Sequence, residues 1–221
     1  MSVLPALSES RPLRLTTVTA MYIAQGIFPS AATLKLGANV TYDDLRGGFA
    51  LSDDARVLAG SYTYASGSAS YDTPGGQAVG TTVAAGGGAF YDGSRITASV
   101  SPRWVLSRFL TLTGRYEVNR IAFPGRGETF TAHVGTFNVR AALNTRWSLA
   151  SLVQLNSAAD AGLLNLRLRY NPREGSNPRE GSDFYLVVNE GFHTDRLVAA
   201  PARPFTSQRA IVAKYTYTFA L

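Results

Sequence analysis

The sequence contains no cysteine, few charged residues and no long hydrophobic run. Without cysteine among 221 residues, disulfide bonds and thiolate metal sites are excluded. No segment approaches the roughly 18 apolar residues of a membrane helix, so helical membrane spans are excluded too. Charged residues make up 16% of the chain, whereas soluble domains have roughly 25%. This deficit favours a membrane β-barrel, in which each strand turns half of its residues towards lipid.

The segment Phe109–Asn119 shows the pattern that recurs along the chain. One parity is apolar and holds Leu110, Leu112, Tyr116 and Val118, with Gly114 among them. The other parity holds Thr111, Thr113, Arg115, Glu117 and Asn119. Such alternation is typical of a β-strand with one apolar and one polar face. Its repetition in segments near the roughly 9 to 11 residues needed to cross a bilayer as a tilted strand favours a transmembrane barrel.

The same reading along the chain predicts eleven strands in a single all-β domain. They are placed at 13–24, 32–42, 57–71, 78–91, 95–103, 109–119, 129–143, 147–156, 163–170, 184–190 and 209–221. The predicted fold is an antiparallel transmembrane β-barrel of about 10–12 strands, or the C-terminal part of a larger barrel. The barrel section spans residues 1–221, with 1–12 as a poorly defined lead-in. A long connection is expected at 43–56, and a β-bulge near Gly135, where the parity changes.

Basic residues recur on the polar parity, whereas most acidic residues fall in the connections. The net charge is +6 and the isoelectric point is about 9.8, which would ordinarily suggest nucleic acid. Because the bases sit inside strands, we expect instead a positively charged lumen that attracts anionic or saccharide solutes. The lumen-facing candidates are Lys35, Arg95, Arg115, Glu117, Arg140, Arg167, Arg169 and Lys214. The predicted function is that of a membrane scaffold or an anion-leaning passage. In the scaffold, these arginines would pair with Glu117, with hydroxyl groups or with a plug contributed by sequence outside this chain.

The last segment alternates so that its apolar parity holds aromatic side chains up to the final residue. Tyr215, Tyr217, Phe219 and Leu221 form this series, which resembles the C-terminal recognition strand of bacterial outer-membrane barrels, although the terminal residue is Leu rather than Phe. The resemblance implies membrane insertion through the barrel-assembly machinery. Aromatic residues near strand ends, predicted to anchor at the bilayer interface, are Tyr62, Tyr64, Tyr71, Tyr91, Trp104, Trp147, Tyr170, Tyr215 and Tyr217.

The sequence offers little chemistry for catalysis. His133 and His193 are the two histidines, and no further ligands stand at metal-binding spacing from them. No nucleophile motif such as Gly-x-Ser-x-Gly is present. We therefore predict no metal, no cofactor and no catalytic residue. Two other functions stay open: a soluble β-sandwich that binds carbohydrate, and, on weaker grounds, a barrel hydrolase.

Several blocks together resemble a family of large outer-membrane β-barrel proteins of unassigned function. They are the segments 53–57, 90–93, 101–103, 114–124, 152–157, 165–170, 186–191 and 214–219, and the resemblance extends from about residue 31 onward. In that family the barrel commonly follows an N-terminal carbohydrate-binding module of the family 9 type. The resemblance implies the outer membrane of a Gram-negative bacterium and supplies no catalytic residues.

The two ends of the chain and one repeat add to the expectation of a barrel section. The first ten residues lack the basic and apolar regions of a secretory signal, so we expect the chain to be the C-terminal part of a longer polypeptide. The hexapeptide at 171–176 is repeated at 177–182. Because six is even, this duplication lengthens a turn without changing which way the next strand faces.

Overall fold

A computed structural model describes residues 15–52, 55–172, 183–197 and 201–216 of the protein. Thirteen β-strands and no helix occur in these ranges. The strands are β1 Leu15–Ile27, β2 Thr33–Leu45, β3 Phe49–Ser52, β4 Ala55–Val57, β5 Gly60–Asp72, β6 Val79–Phe90, β7 Gly93–Ser107, β8 Leu110–Phe123, β9 Glu128–Ala142, β10 Trp147–Asn156, β11 Ala161–Tyr170, β12 Asp183–His193 and β13 Thr206–Thr216. Within the described ranges, nothing helical is long and apolar enough to span a membrane.

Eleven strands form one antiparallel sheet in which each strand pairs with its neighbours in the chain. The order is β1-β2-β5-β6-β7-β8-β9-β10-β11-β12-β13, an up-and-down meander without crossovers. All eleven strands expected from the alternation are present, and the predicted all-β antiparallel fold is confirmed. A sandwich of two large sheets is wrong for this chain, because the second sheet holds only β3 and β4.

The meander gives the sheet two ends. At the hairpin end lie the β3–β4 hairpin, the tight turn 91–92 and the connections 124–127, 157–160 and 194–205. At the C-terminal end, where β13 stops, lie the turns 28–32, 73–78, 108–109 and 143–146. The connection predicted at 43–56 is therefore more structured than expected, since it contains a hairpin of its own.

The expected bulge at Gly135 is wrong. The pairing of β8 with β9 runs without a register shift from Leu110↔Ala141 to Phe123↔Glu128. The parity appeared to change because the chemistry of the two faces inverts towards the hairpin end. There Phe130 and Ala132 lie on the otherwise polar face, and Thr131 and His133 lie on the otherwise apolar one. The strand is therefore continuous, and the apparent change of parity reflects the apolar surroundings of the inner face at the hairpin end.

Part of the predicted C-terminal recognition strand and the lead-in are not among the described residues. Residues 1–12, Tyr217, Phe219 and Leu221 lie outside the described residues, as does most of the hexapeptide repeat. Tyr215 lies in β13, opposite Phe184 of β12. Its side chain is exposed on the apolar face of the sheet.

Candidate functional site: the polar inner face

One face of the sheet carries large apolar side chains that are exposed. In β2, Leu36 and Val40 are each 49% exposed, and in β7 and β13, Ile96 and Ile211 are each 63% exposed. Soluble domains bury such side chains. The opposite face carries polar and charged side chains, of which Asp43 and Thr41 are buried and Arg115 and Arg169 are exposed. We call the polar face the inner face and the exposed apolar face the outer face.

Six aromatic residues of the outer face lie at its C-terminal end. They are Tyr71, Trp104, Trp147, Tyr170, Phe184 and Tyr215, from β5, β7, β10, β11, β12 and β13. Trp147 and Tyr170 face each other across β10 and β11 with ring centroids 4.4 Å apart. A belt of this kind is typical of a membrane–water interface. Tyr62, Tyr64 and Tyr91 do not belong to it, contrary to the sequence prediction.

These three tyrosines lie at the hairpin end on the inner side, beside an apolar cluster. The cluster consists of Leu45, Ala55, Val57, Ile121 and Phe123, and Tyr62, Tyr91, Phe90 and Phe130 pack against it. Phe123 is 0% and Val57 is 1% exposed. Because Ala55 and Val57 belong to β4, the β3–β4 hairpin is folded onto the inner face. Hydrophobic burial is thus concentrated at this end of the sheet.

Arg126, in the β8–β9 turn, joins the hairpin to the sheet. Its Nη2 donates to the carbonyl oxygen of Arg56 at 2.7 Å, and its Nε lies 3.3 Å from Glu128 Oε1. Its Nη1 also donates to the Asp92 carboxylate in the neighbouring turn. Glu128 Oε2 in turn accepts a hydrogen bond from the Arg56 amide at 3.2 Å. We call this set of contacts the Arg126 clasp.

The 91–92 turn is held by the same region. Gly93 leaves no room for a side chain, since a Cβ there would lie 2.3 Å from the Ala122 carbonyl oxygen. Tyr91 adopts a positive φ of 52° and stacks edge-on against Tyr62 at 5.2 Å. Burial, and then the nearby Asp43 carboxylate, raise the pKa of the Tyr91 phenol above its usual value.

The eight predicted lumen residues share the inner face. Residues that pair across two neighbouring strands point to the same face. Lys35 pairs with Ser70, Arg95 with Ile121, Arg140 with Thr111, and Lys214 with Tyr185. The remaining four, Arg115, Glu117, Arg167 and Arg169, follow from the same registers. The structure therefore brings all eight together on one face of the sheet. Six of them separate into a central group (Arg95, Arg115 and Glu117) and a basic group (Arg140, Arg167 and Arg169), and Lys35 and Lys214 belong to neither.

The central group lines a cavity of about 420 Å³ that we call the central cradle. One wall carries Arg95, Thr97, Arg115 and Glu117 from β7 and β8, and the other carries Asn39, Thr41, Tyr64 and Ser66 from β2 and β5. Between the walls, β6 contributes Ala84, Gly86 and Gly88. Neighbouring strands of a sheet stand about 4.8 Å apart, and three strands separate β2 from β8. Side chains of β2 and β8 can line one cavity only because the sheet curves, with its inner face concave.

Each wall of the central cradle is organised by hydrogen bonds. Arg115 Nη2 lies 2.5 Å from Glu117 Oε2, and Asn119 Nδ2 donates to Glu117 Oε1 at 2.8 Å. Asn119 Oδ1 accepts from Arg95 Nη2 at 2.7 Å and from Thr97 Oγ1 at 2.8 Å. Across the cradle, Ser66 Oγ donates to Asn39 Oδ1 at 2.5 Å. These contacts fix the orientation of the charged groups.

The basic group lies towards the C-terminal end and surrounds a second cavity of about 440 Å³. Arg108, Arg140, Arg167 and Arg169 line it together with Tyr185. Arg169 forms a bidentate ion pair with Asp183, with Nε–Oδ1 and Nη2–Oδ2 distances of 2.9 and 3.0 Å. Among the described residues, neither Arg140 nor Arg167 has an acidic partner. We call these four arginines the basic cluster.

Sequence reasoning missed the acids that balance part of this face. Asp72 and Asp183, each at the end of a strand, pair with Lys35 at 3.2 Å and with Arg169. Glu190 lies on the outer face near the hairpin end, where its carboxylate lies 2.5 Å from Arg209 Nε. The sequence does contain a signal for the pairs on the inner face. Asp72 and Asp183 each stand at the end of a strand whose neighbour carries a basic residue near the same end.

The two histidines are far from this arrangement. His133 lies on the outer face, where its Nδ1 is 2.7 Å from the Tyr116 hydroxyl. His193 ends β12. Within the described part of the chain, no three His, Cys, Asp or Glu side chains are grouped so that they could hold a metal ion.

Comparisons with known proteins yield two structural likenesses. No protein-family model matches the sequence, and no curated protein matches it. A KdgM porin and a KdgM porin in complex with disordered oligogalacturonate each match with 10% sequence identity and a TM-score of 0.33. Each match covers 93% of this chain and 100% of the porin chain. At this identity and TM-score, the likeness says nothing about what this chain binds.

Proposed function

We propose that this chain is a β-barrel section of the outer membrane of a Gram-negative bacterium and that its inner face lines an anion-favouring passage. The observation that carries the proposal is the exposure of large apolar side chains on the outer face of the sheet. A continuous exposed apolar surface needs an apolar environment, and a lipid bilayer supplies one. A soluble carbohydrate-binding β-sandwich would not expose such a surface to water.

The dimensions of the outer face fit a bilayer. In β2 the apolar series runs from Leu34 to Tyr42, and in β7 from Trp104 to Ile96, nine residues in each case. Tilted transmembrane strands need about 9 to 11 residues. Beyond the series, the outer face becomes polar at Asp44 in β2 and at Arg120 in β8. The hairpin end would thus project from the membrane, and the aromatic belt at the C-terminal end would lie at the opposite interface.

Closure of the barrel sets a requirement on strand number. Bacterial barrels have an even number of antiparallel strands, whereas eleven strands are described in the large sheet. A further strand between β1 and β13, running towards the hairpin end, would be antiparallel to both. Assembly would use the barrel-assembly machinery and the segment that includes Tyr215. Membership in the family with the family 9 carbohydrate-binding module stays a prediction.

The anion preference follows from the basic cluster. Guanidinium groups without acidic partners create a positive potential in a narrow aqueous space, and such a potential concentrates anions. Charged and hydroxylated solutes, including saccharides, are the class that a polar lumen would admit. The arginines of the basic cluster are the residues we expect to set the preference.

The proposal is tested with purified protein reconstituted into planar bilayers under a KCl gradient. We expect channels whose reversal potential indicates chloride preference, and a weaker preference in the double variant Arg140→Gln/Arg167→Gln. Arg120→Gln, which removes an arginine from the outer face, serves as the matched control and should leave the reversal potential unchanged. Protein that fractionates as soluble without detergent, or channels with cation preference, would refute the proposal.

A further inference from the structure

We infer that the central cradle binds a hydroxyl-rich ring solute of the size of a mono- or disaccharide. The inference rests on the proposed function only for access, because the solute would reach the cradle from the lumen. It assigns to the cradle a ligand chemistry different from that of the basic cluster. The volume of about 420 Å³ lies within the roughly 300 to 1,000 Å³ of small-molecule sites.

The charged groups of the cradle are held by contacts within its walls. The Arg115 guanidinium is neutralised by Glu117 at 2.5 Å, and Arg95 is held by the Asn119 amide while lying 5.8 Å from the Phe90 ring centroid. A carboxylate or phosphate entering the cradle would be repelled by Glu117 and attracted by Arg95. Charge therefore does not select the ligand, and hydrogen bonding and shape have to.

The walls have unused hydrogen-bonding capacity that suits hydroxyl groups. The two Glu117 oxygens each accept one bond, from Arg115 and Asn119, although a carboxylate offers about four acceptor sites. Arg115 donates one of these bonds, and a guanidinium has about five N–H donors. A hydroxyl group both donates and accepts, so neighbouring hydroxyls on a sugar ring can bond to Arg115 and Glu117 together.

The floor and the hairpin end of the cradle suit the body of a sugar ring. A Cβ at Gly88 would lie 2.3 Å from the Ala65 carbonyl oxygen, so close pairing of β5 and β6 requires glycine there and leaves the floor without a side chain. Phe90 and Tyr64 line the cavity, with ring centroids 6.1 Å apart. Their rings offer apolar surface for the C–H face of a pyranose, while the walls meet its hydroxyls.

The test is a titration of ¹⁵N-glycine-labelled protein in detergent micelles, followed by NMR. Maltose is the hydroxyl-rich probe, and succinate is an anionic probe that has neither hydroxyl groups nor a ring. We expect maltose to shift the resonances of Gly86 and Gly88 but not that of Gly162 on β11, and succinate to leave all three in place. Ala84→Phe, which fills the cavity, should weaken maltose binding at least about tenfold. Ala98→Phe, the same change on the outer face, should leave it unaltered.

Several results would overturn the inference. They are an absence of maltose shifts at Gly86 and Gly88, shifts produced by succinate instead, or full maltose affinity in a folded Ala84→Phe protein. Should Ala84→Phe fail to fold, Glu117→Gln replaces it, because the loss of the charged acceptor should also weaken maltose binding while nearly preserving side-chain shape. Micelles enclose no compartment, so the titration measures binding to the cradle and not passage through the barrel. Binding in the cradle can therefore be disproved without affecting the proposed passage, and the reverse.

Discussion

Arg126 lies over the ring of Phe123, with its guanidinium carbon 4.3 Å from the ring centroid. Phe123 is fully buried beneath the β3–β4 hairpin, whereas Arg126 bonds to that hairpin through the carbonyl oxygen of Arg56. The same side chain thus covers the apolar cluster and fastens the hairpin above it. The turn therefore adds polar contacts to the apolar packing that holds the hairpin over the inner face.

We expect Arg126→Ala to loosen the β3–β4 hairpin. The substitution removes the bond to the Arg56 carbonyl and leaves Asp92 and Glu128 without their cationic partner. Hydrogen exchange of amides in 49–57 should become about tenfold faster, because local opening needs less free energy. Exchange in the middle of β8 should not change.

The control for the clasp is Arg120→Ala, which removes an arginine of the outer face near the same end. It should leave exchange in 49–57 unchanged. Equal acceleration in both variants would contradict the role given to Arg126, since it would indicate general destabilisation of the hairpin end.

Asp183→Asn should increase the anion preference of the passage. Asp183 is the acid paired with Arg169, and its neutral replacement leaves a fourth uncompensated guanidinium in the basic cluster. The reversal potential under a KCl gradient should move further in the chloride direction. Asp44→Asn, on the outer face, is the matched control, and an unchanged potential in Asp183→Asn would contradict the placement of the basic cluster in the lumen.

The phenol of Tyr91 should ionise at a higher pH than a free tyrosine. Burial and the Asp43 carboxylate raise its folded-state pKa, so its contribution to stability is full below the unfolded pKa of about 10 and is lost as the pH rises through the folded value. Absorbance at the phenolate band, compared between the protein and Tyr91→Phe, isolates this group. A difference spectrum that titrates at or below the ordinary value would contradict the buried placement.

An arginine on the outer face should impair membrane insertion far more than one on the inner face. Val100 lies near the middle of the apolar series of β7, and Ser101 is its neighbour on the inner face. Arginine at the bilayer midplane costs roughly 2 to 4 kcal/mol on the lipid face, so Val100→Arg should lower the yield of folded, heat-modifiable protein on gels. Ser101→Arg should lower it little, and equal losses would contradict the assignment of faces.

Much of the fold follows from alternation alone. The period-two pattern located the eleven strands, because the two faces of each strand carry opposite chemistry. It also placed Arg115 and Glu117 on one face, since residues two apart in a strand point the same way. The cradle depends further on how strongly the sheet curves, which alternation does not encode.

The failures cluster at the hairpin end. There the apolar cluster lies inside, beneath β3 and β4, so Phe130 faces inward and Thr131 outward. The inverted chemistry was mistaken for a bulge at Gly135, and Tyr62, Tyr64 and Tyr91 were mistaken for interfacial anchors. Alternation shows that one face of a strand has an apolar partner. It does not show whether that partner is lipid or a hairpin of the same chain.

The central claim, that the outer face contacts lipid and the inner face contacts water, is tested most directly by spin labels along β2. Because the chain has no cysteine, single cysteines at positions 36–41 can be labelled one at a time in liposome-reconstituted protein. Labels at Leu36, Ala38 and Val40 should collide with dissolved oxygen, and labels at Gly37, Asn39 and Thr41 with a water-soluble nickel complex. An alternation of opposite sign, or none, would contradict the claim.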